Sequence, residues 1–329
     1  MSSTSSELQN GNDKKTDIVV VGSCMIDLVS YVPRLPMPGE TIHGTKFQQG
    51  FGGKGANQCV AAAKLGASTA LVAKLGGDNF GACYLSELNQ YHNLNTLYVT
   101  REEISSGMAS ISVSSNGENQ IVIVPGANST LCNSDIDAAL PLLRNSKVVV
   151  FQGETPWSTT RYCLDKMVHT EVLSILNVAP APSIPCSDLI TSLTLASIVC
   201  VNEVEAELLT QIKLDSEEHI SDSLDSLFSL GCKTVIITLG ANGAVFATSK
   251  SRTVEKVQVK KVDHPVDTTG AGDCFLGALA YFISYFPSLP LGEQISRACK
   301  IARLSVMQCG TQPSFPSLSQ LDESLLSIK

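Results

Sequence analysis

Asp267-Thr268-Thr269-Gly270-Ala271-Gly272-Asp273 runs straight into the apolar stretch 274–286, and this junction of a glycine-rich turn with a helix-forming run governs the reading of the whole chain. A Gly-Ala-Gly turn at a helix start lets backbone N–H groups converge without side-chain obstruction, and the helix dipole adds its positive end. The product is an anion pocket. Asp273 falls in the first helical turn beside it, where a carboxylate can take a proton from an attacking hydroxyl as charge develops on a transferred phosphoryl group. The same letters also make a plain helix cap, since Asp and Thr cap helices and Gly permits turns. The turn by itself leaves the two readings level.

The chain of 329 residues, 43% hydrophobic and 16% charged, can bury one large core or a core with a small appendage. A net charge of −8 without a sustained basic run points away from nucleic acid and anionic membranes and toward small-molecule ligands. The cysteines form no Cys-x-x-Cys pair, and Cys59, Cys200, Cys274 and Cys299 lie in apolar runs, which predicts reduced core thiols in the cytoplasm, with the nucleus left open. No apolar run approaches the roughly 20 residues that span a bilayer. The polar, Ser- and Asn-rich residues 1–16 read as a disordered tail.

Short β-branched runs at 17–22, 71–75, 147–151, 172–178, 197–201 and 234–239 alternate with helical patterns at 55–65, 78–90, 158–169, 203–210 and 217–230. Such alternation predicts an α/β fold, a doubly wound, mostly parallel sheet with helices on both faces. Two stretches break it. Residues 29–49 are rich in Pro and Gly, and 108–124 read as a hairpin about Ser115-Asn116-Gly117. Excursions at about 29–49 and 94–126 are therefore expected to form a small β lid on a single domain spanning 17–329.

A second glycine cluster, Gly50-Phe51-Gly52-Gly53-Lys54-Gly55-Ala56-Asn57, matches a dinucleotide fingerprint by letters only. A fingerprint follows the first strand at once, whereas this cluster comes after residues 23–49, and Gly55 rather than Ser or Thr follows Lys54. What remains is a loop whose backbone can approach a ligand closely, with Lys54 and Asn57 able to bond hydroxyl groups, or an ordinary turn before a helix. Asp27 can hold two sugar hydroxyls or stand as a solvated acid. Glu154 follows a strand, where open α/β sheets place ligands, but it also suits a helix start ahead of Pro156. Asn202-Glu203-Val204-Glu205 can serve phosphates or magnesium, and equally forms a capping box.

Their order along the chain adds what no segment gives alone. Asp27, the Gly52-Gly53-Lys54-Gly55-Ala56-Asn57-Gln58 run, Asn202-x-x-Glu205, Thr238-Leu239-Gly240-Ala241-Asn242-Gly243 and Asp267 to Asp273 together resemble the ribokinase-like carbohydrate and nucleoside kinases. The resemblance covers about 17–316 and implies a Rossmann-type three-layer fold with a lid. It also implies ATP-dependent phosphorylation of D-ribose at the 5-hydroxyl, with Mg2+ accompanying ATP.

By the same resemblance, Asp27, Gly53, Lys54, Asn57 and Glu154 hold the sugar, with Met25 at the pocket edge and Asp273 both contacting the substrate and acting as base. Gly270, Ala271 and Gly272 form the anion hole. Asn202, Thr238, Gly240, Ala241, Asn242, Gly243, Gly272 and Cys299 bind the nucleotide, and Glu205 helps to place magnesium indirectly. A potassium activator is implied beside the anion hole, with oxygen ligands from Asp267, Thr269, Ser305, Gln308, Gly310 and Ser314. A homodimer through the lid is implied as well.

Two positions depart from the family pattern: Met25 stands where many members carry Asn, and Cys299 where Asn often lies near the adenine. Kinases for 2-deoxyribose, fructose or adenosine would use the same anion hole with another pocket. A non-catalytic sugar sensor would need neither Asp273 nor an unbroken Gly270-Ala271-Gly272.

Overall fold

The first apolar run is buried on both sides, with Ile18 and Val20 packed into one core and Val19 and Val21 into a second. A strand with both faces covered is the signature of a sheet between two helical layers. The computed structural model describes residues 15–327, so the tail expected at 1–16 lies, up to residue 14, outside the described residues.

The strands in chain order are β1 (Ile18–Val21), β2 (Met25–Val32), β3 (Lys46–Gly52), β4 (Thr69–Gly76), β5 (Leu94–Asn95), β6 (Val99–Glu102) and β7 (Gly107–Ser114). They continue with β8 (Asn119–Val124), β9 (Val148–Phe151), β10 (Leu173–Asn177), β11 (Ile198–Asn202), β12 (Thr234–Thr238), β13 (Ala244–Thr248) and β14 (Glu255–Val257). The helices are α1 (Lys54–Lys64), α2 (Asn79–Leu88), α3 (Asn133–Asn145), α4 (Trp157–Met167) and α5 (Ser187–Leu195). After these come α6 (Glu203–Thr210), α7 (Glu217–Ser229), α8 (Ala271–Tyr285) and α9 (Leu291–Ser305).

The main sheet runs β14-β13-β12-β11-β10-β9-β1-β4-β5, with β6 also paired to β4. It is parallel from β12 to its β4 edge, and β13 and β14 add an antiparallel border. One face carries α1, α2, α8 and α9, whose buried members include Cys59, Leu88, Leu279 and Ile295. The other carries α3 to α7, contributing Ile136, Leu164, Leu193, Ala206 and Leu227. The fold is thus the doubly wound α/β architecture that the alternation implied. Among the described residues, no helix is long and apolar enough to cross a membrane.

A separate sheet, β3-β2-β7-β8, stands off the main one. The β7–β8 hairpin pairs Met108 with Val124 and turns at Gly117, whose φ of 87° is left-handed. The boundaries differ from the expected excursions. The second sheet begins at Met25 rather than near 29, so Met25 and Asp27 belong to a strand. Residues 94–95 and 99–102 pair with β4 of the main sheet, where Leu94 and Val99 are buried.

Helices α3, α5 and α9 fall in stretches that the sequence pattern left unassigned. Pro141 lies inside α3, and Thr191, Ser192 and Thr194 crowd α5 with residues that favour caps and turns. In both, burial of an apolar stripe overrides local preference. In α9 the stripe is masked by Arg297, 5% exposed, which bonds Glu293 and the carbonyls of Leu325 and Ser327.

Helices α1 and α8 carry the two glycine motifs and lie in close contact at Gly277. A Cβ there would fall 2.6 Å from both the Ala61 side chain and the Gln58 carbonyl oxygen. Gly277→Ala should therefore push the helices apart and destabilise the fold by roughly 1–3 kcal/mol, read as a lower urea midpoint with an unchanged slope. An unchanged midpoint would show that this approach is slack.

Candidate active site

The parallel strands deliver their carboxyl ends to one side of the sheet, the place where open α/β folds bind ligands. Gly22, Glu154, Asn177 and Asn202 follow or end β1, β9, β10 and β11 there, and the starts of α1 and α8 converge on the same region.

The start of α1 explains its glycines. Gly53 caps the helix with a φ of 88°, and a Cβ on it would lie 2.7 Å from the Met25 nitrogen. At Gly55 a Cβ would lie 2.3 Å from the Ser23 nitrogen, so the cluster lets α1 press against the link from β1 to β2. Gly52 makes room for Asp27, whose Oδ2 would be 2.3 Å from a Cβ there. Lys54 N–H donates to Glu154 Oε2 at 2.8 Å, and the Ser23 hydroxyl donates to the same oxygen.

Asp27, Lys54 and Glu154 form a coupled group with Asp273. Burial first, then the charges of Glu154 and Asp273, push the Asp27 carboxyl up to about 6. Among the described residues no side chain or backbone group donates to its carboxylate, which leaves both oxygens for a ligand. Burial also raises Glu154 above its ordinary range, against the opposing pull of Lys54. For Lys54 burial works against the charge, but Asp273, Glu154 and Glu205 outweigh it and raise the amine. Met25, 4% exposed, lies on the same strand as Asp27.

Asp273 is 7% exposed in the first turn of α8. Its Oδ2 accepts from Asn57 Nδ2 and its Oδ1 from Gln58 Nε2, each at 2.9 Å. Gly270 caps the helix with a left-handed φ of 77°. The N–H of Ala271 bonds the Thr268 carbonyl at 3.2 Å, while those of Gly270, Gly272 and Asp273 have no partner among the described residues. A Cβ on Gly272 would meet nothing within 4 Å, so the helix start opens onto free space. Unpaired N–H groups beside a buried carboxylate can hold a transferring anion and take up a proton.

Two adjoining cavities share Thr238, Gly272 and Phe275. One, of about 190 Å³, exposes Lys54, Asn202, Glu205 and Asp273. The other, of about 310 Å³, is lined by Gly240, Ala241, Gly243 and Cys299. Its walls also include Val259, Val262, Pro265, Ala302, Arg303 and Val306, none of which carried a sequence signal. Asn242 is exposed at the turn and does not line it. Gly243 has a structural task, since a Cβ there would sit 2.0 Å from the Val257 carbonyl oxygen. Burial pushes the Cys299 thiol up to about 12, so it offers a neutral wall.

Asn202 and Glu205 do form a capping box, with Glu205 Oε2 accepting from the Asn202 N–H at 2.8 Å and Glu205 Oε1 from Asn202 Nδ2. The box nevertheless faces the cavity that holds Asp273, and burial raises the Glu205 carboxyl. Near the start of α8, Asp267 joins two segments by accepting the N–H groups of Thr269 and Gly310, each at 2.9 Å. The Ser305 and Ser314 hydroxyls donate to the Ala302 and Thr311 carbonyls, and Gln308 is exposed.

Sequence reasoning missed the support around Asp273. Gln58 was legible only as the last letter of its motif, and Tyr84, Gln152, Asn177 and Gln312 are isolated polar residues in distant segments. All are buried here, and Gln58 accepts from Gln152 Nε2 at 2.7 Å.

Comparison with known proteins follows the same outline. Residues 15–318 match the model of the pfkB family carbohydrate kinases. The chain is 42% identical to mouse ribokinase over 309 residues, covering 94% of each, and 36% identical to a Salmonella typhi deoxyribokinase, covering 94% of this chain and 98% of that one. Arabidopsis thaliana ribokinase, solved with ribose and ATP, superposes with a TM-score of 0.84 at 30% identity, over 95% of this chain and 99% of that one. Ribokinase from Giardia lamblia gives 0.87 at 28% identity, with the same coverage. With its two glycine motifs joined at one cavity and the family model spanning nearly its whole length, the chain belongs to the pfkB family of carbohydrate kinases.

Proposed function

We propose that this protein transfers the γ-phosphoryl group of ATP to the 5-hydroxyl of D-ribose, giving D-ribose 5-phosphate and ADP. The observation that carries the reading is Asp273, a buried carboxylate beside unpaired N–H groups that lines one cavity next to Gly272, which both cavities share. The choice of sugar draws on the ribokinases that it resembles, one of them solved with ribose and ATP.

Asp27, Gly53, Lys54, Asn57 and Glu154 hold the sugar, with Met25 at its edge. Asp27 is open to hydroxyl donors because no group among the described residues donates to its oxygens. A carboxylate has about four lone-pair directions, so Asp273 keeps free positions after accepting from Asn57 and Gln58. One of these takes the proton of the attacking hydroxyl, whose oxygen adds to the γ-phosphorus in line with the departing ADP. The free N–H groups of Gly270, Gly272 and Asp273 face the charge on the transferring group, within the turn expected from Gly270-Ala271-Gly272.

ATP lies along Thr238, Gly240, Ala241 and Gly243, with Asn202 toward the phosphates and Cys299 toward the base, while Asn242 stands outside the cavity and is not assigned a contact. Among the described residues no three His, Cys, Asp or Glu side chains converge as a metal cage. Mg2+ binds mainly through substrate phosphates and one or two carboxylates, and Glu205 is read as ordering its shell indirectly. When bound, the ion neutralises phosphate charge. The oxygen-rich segments that Asp267 joins fit a hard monovalent cation, with Thr269, Ser305, Gln308, Gly310 and Ser314 as further donors and potassium as the ion.

The second sheet is read as a lid that excludes water from the sugar. On β8, Ile121, Val122, Ile123 and Val124 are 46–65% exposed, and burying them against a second copy supports a homodimer. We place the enzyme in the cytoplasm. The 36% identity to deoxyribokinase favours 2-deoxyribose as the second reading.

ATP consumption should be highest with D-ribose among ribose, 2-deoxyribose, fructose and adenosine, and replacing sodium by potassium should raise it. Best turnover of another sugar would overturn the pocket reading, and equal rates in both salts the cation site. Asp273→Asn should leave the fold intact and lower kcat by roughly 10²-fold to 10⁴-fold; near-normal turnover would remove its role as base.

For Asp27 the sign follows from its raised carboxyl, ordinary value 3.8 and about 6 when folded. The ionised form is disfavoured in the folded chain, so stability is lost as pH rises through that window and the full penalty holds above it. Asp27→Asn should therefore raise Tm at pH 7, with the gain vanishing near pH 4, while KM for the sugar rises. A lower Tm at pH 7 would contradict the assigned burial cost.

A further inference from the structure

Both oxygens of Asp273 are bonded to amides, and behind each amide runs a chain of side chains that ends on a backbone carbonyl. On one side the Gly52 carbonyl accepts the Tyr84 hydroxyl, and the phenol oxygen accepts from Gln312 Nε2 at 2.9 Å. The same Nε2 donates to Asn57 Oδ1 at 3.0 Å, and Asn57 Nδ2 donates to Asp273 Oδ2. On the other side the Cys200 carbonyl accepts from Asn177 Nδ2 at 3.2 Å. Asn177 Oδ1 accepts from Gln58 Nε2 at 3.3 Å, and that Nε2 donates to Asp273 Oδ1.

A backbone carbonyl can only accept, so each chain has one direction of donation. If Gly52 takes the phenol proton, the Tyr84 oxygen must receive from Gln312. Gln312 then presents its NH2 group to Asn57, which must turn its own NH2 group to Asp273. Burial holds the Tyr84 phenol well above its ordinary value, so it keeps the proton that starts the chain. The second chain obeys the same logic from Cys200.

We propose that Tyr84, Gln312 and Asn177 are positioning residues that fix the direction of both chains, so that Asp273 meets N–H donors on each oxygen and is held in place as an acceptor. It rests on the proposed reaction only in taking Asp273 as the base. Its directional part rests on the hydrogen bonds alone. The segment carrying Gln312 is held to α1, the helix of Asn57 and Gln58, because Lys64 Nζ donates to the carbonyls of Gln312 at 2.6 Å and Phe315 at 2.9 Å. Asn57, Gln312 and Tyr84 are each 5% exposed or less, so water offers little substitute.

Donors to the charged form lower a carboxyl's pKa, and an amide turned to present its oxygen raises it. Tyr84→Phe removes the directing hydroxyl and keeps the ring that packs on Phe51. Gln312→Glu replaces donor by acceptor at equal volume and attracts the NH2 group of Asn57 away from Asp273. The charged groups facing Asp273 are Lys54 of α1, Asp27 of β2, Glu154 after β9 and Glu205 of α6, with the Cys274 thiol beside it, and both variants keep all of them.

The test follows the side-chain carboxyl 13C resonance of Asp273, identified as the signal missing from Asp273→Asn, through a pH titration of the full chain. In Tyr84→Phe the midpoint should rise, and further in Gln312→Glu. The acid limb of kcat at saturating substrates should move with it while KM for ATP stays unchanged. An unmoved carboxyl midpoint in folded Tyr84→Phe overturns the proposal, whatever Gln312→Glu does and even if Tm falls. A midpoint that moves in a protein without sugar turnover supports the positioning role and sinks the proposed reaction instead.

Discussion

A buried carboxylate that no cation among the described residues contacts is the constraint on which the rest of the site depends. Asp273 sits at the start of α8, 7% exposed, and its charge is met by two amide N–H groups from the first turn of α1. Burying a charge is costly unless hydrogen bonds compensate it, so α1 and α8 must keep their mutual position to within a few tenths of an ångström. The contact at Gly277 makes that approach possible, since any side chain there would strike the α1 backbone.

The same requirement explains why polar side chains from distant segments enter the interior. Gln58, Gln152, Asn177, Gln312 and Tyr84 are each almost fully buried. Their bonds run to one another, to backbone carbonyls and to Asp273, so the polar network is organised about one charge. Asp27 and Glu154 add carboxylates whose ionisation is disfavoured by burial, and Lys54 balances them in part.

Glycine plays two different roles in the two motifs. In the first, Gly53 and Gly55 let backbone meet backbone where α1 joins the β1–β2 link, and Gly52 leaves room for Asp27. In the second, Gly270 supplies a left-handed cap, and Gly272 borders open space with its N–H unpaired. The first motif is thus mainly a packing device that presents Lys54 and Asn57. The second is built to receive something.

The sequence by itself determined the α/β class, the alternation of the main strands with α1, α2, α4, α6 and α7, and the hairpin at Gly117. These rest on local signals, namely apolar periodicity, turn chemistry and short motifs, which act within a few residues of one another. It did not reveal α3, α5 and α9, where Pro141, clustered hydroxyls and Arg297 disguise the apolar stripe, nor that Met25 and Asp27 stand on a strand of the second sheet. Only the tertiary structure decided which N–H groups at the start of α8 stay free, and that Asn202 and Glu205 cap α6 while facing the cavity. It alone joined Gly52, Tyr84 and Gln312 to Asn57, and Cys200 and Asn177 to Gln58. The physical reason is that a hydrogen bond between residues up to 255 positions apart in the chain leaves no periodic trace; it exists only once burial has removed water as the alternative partner.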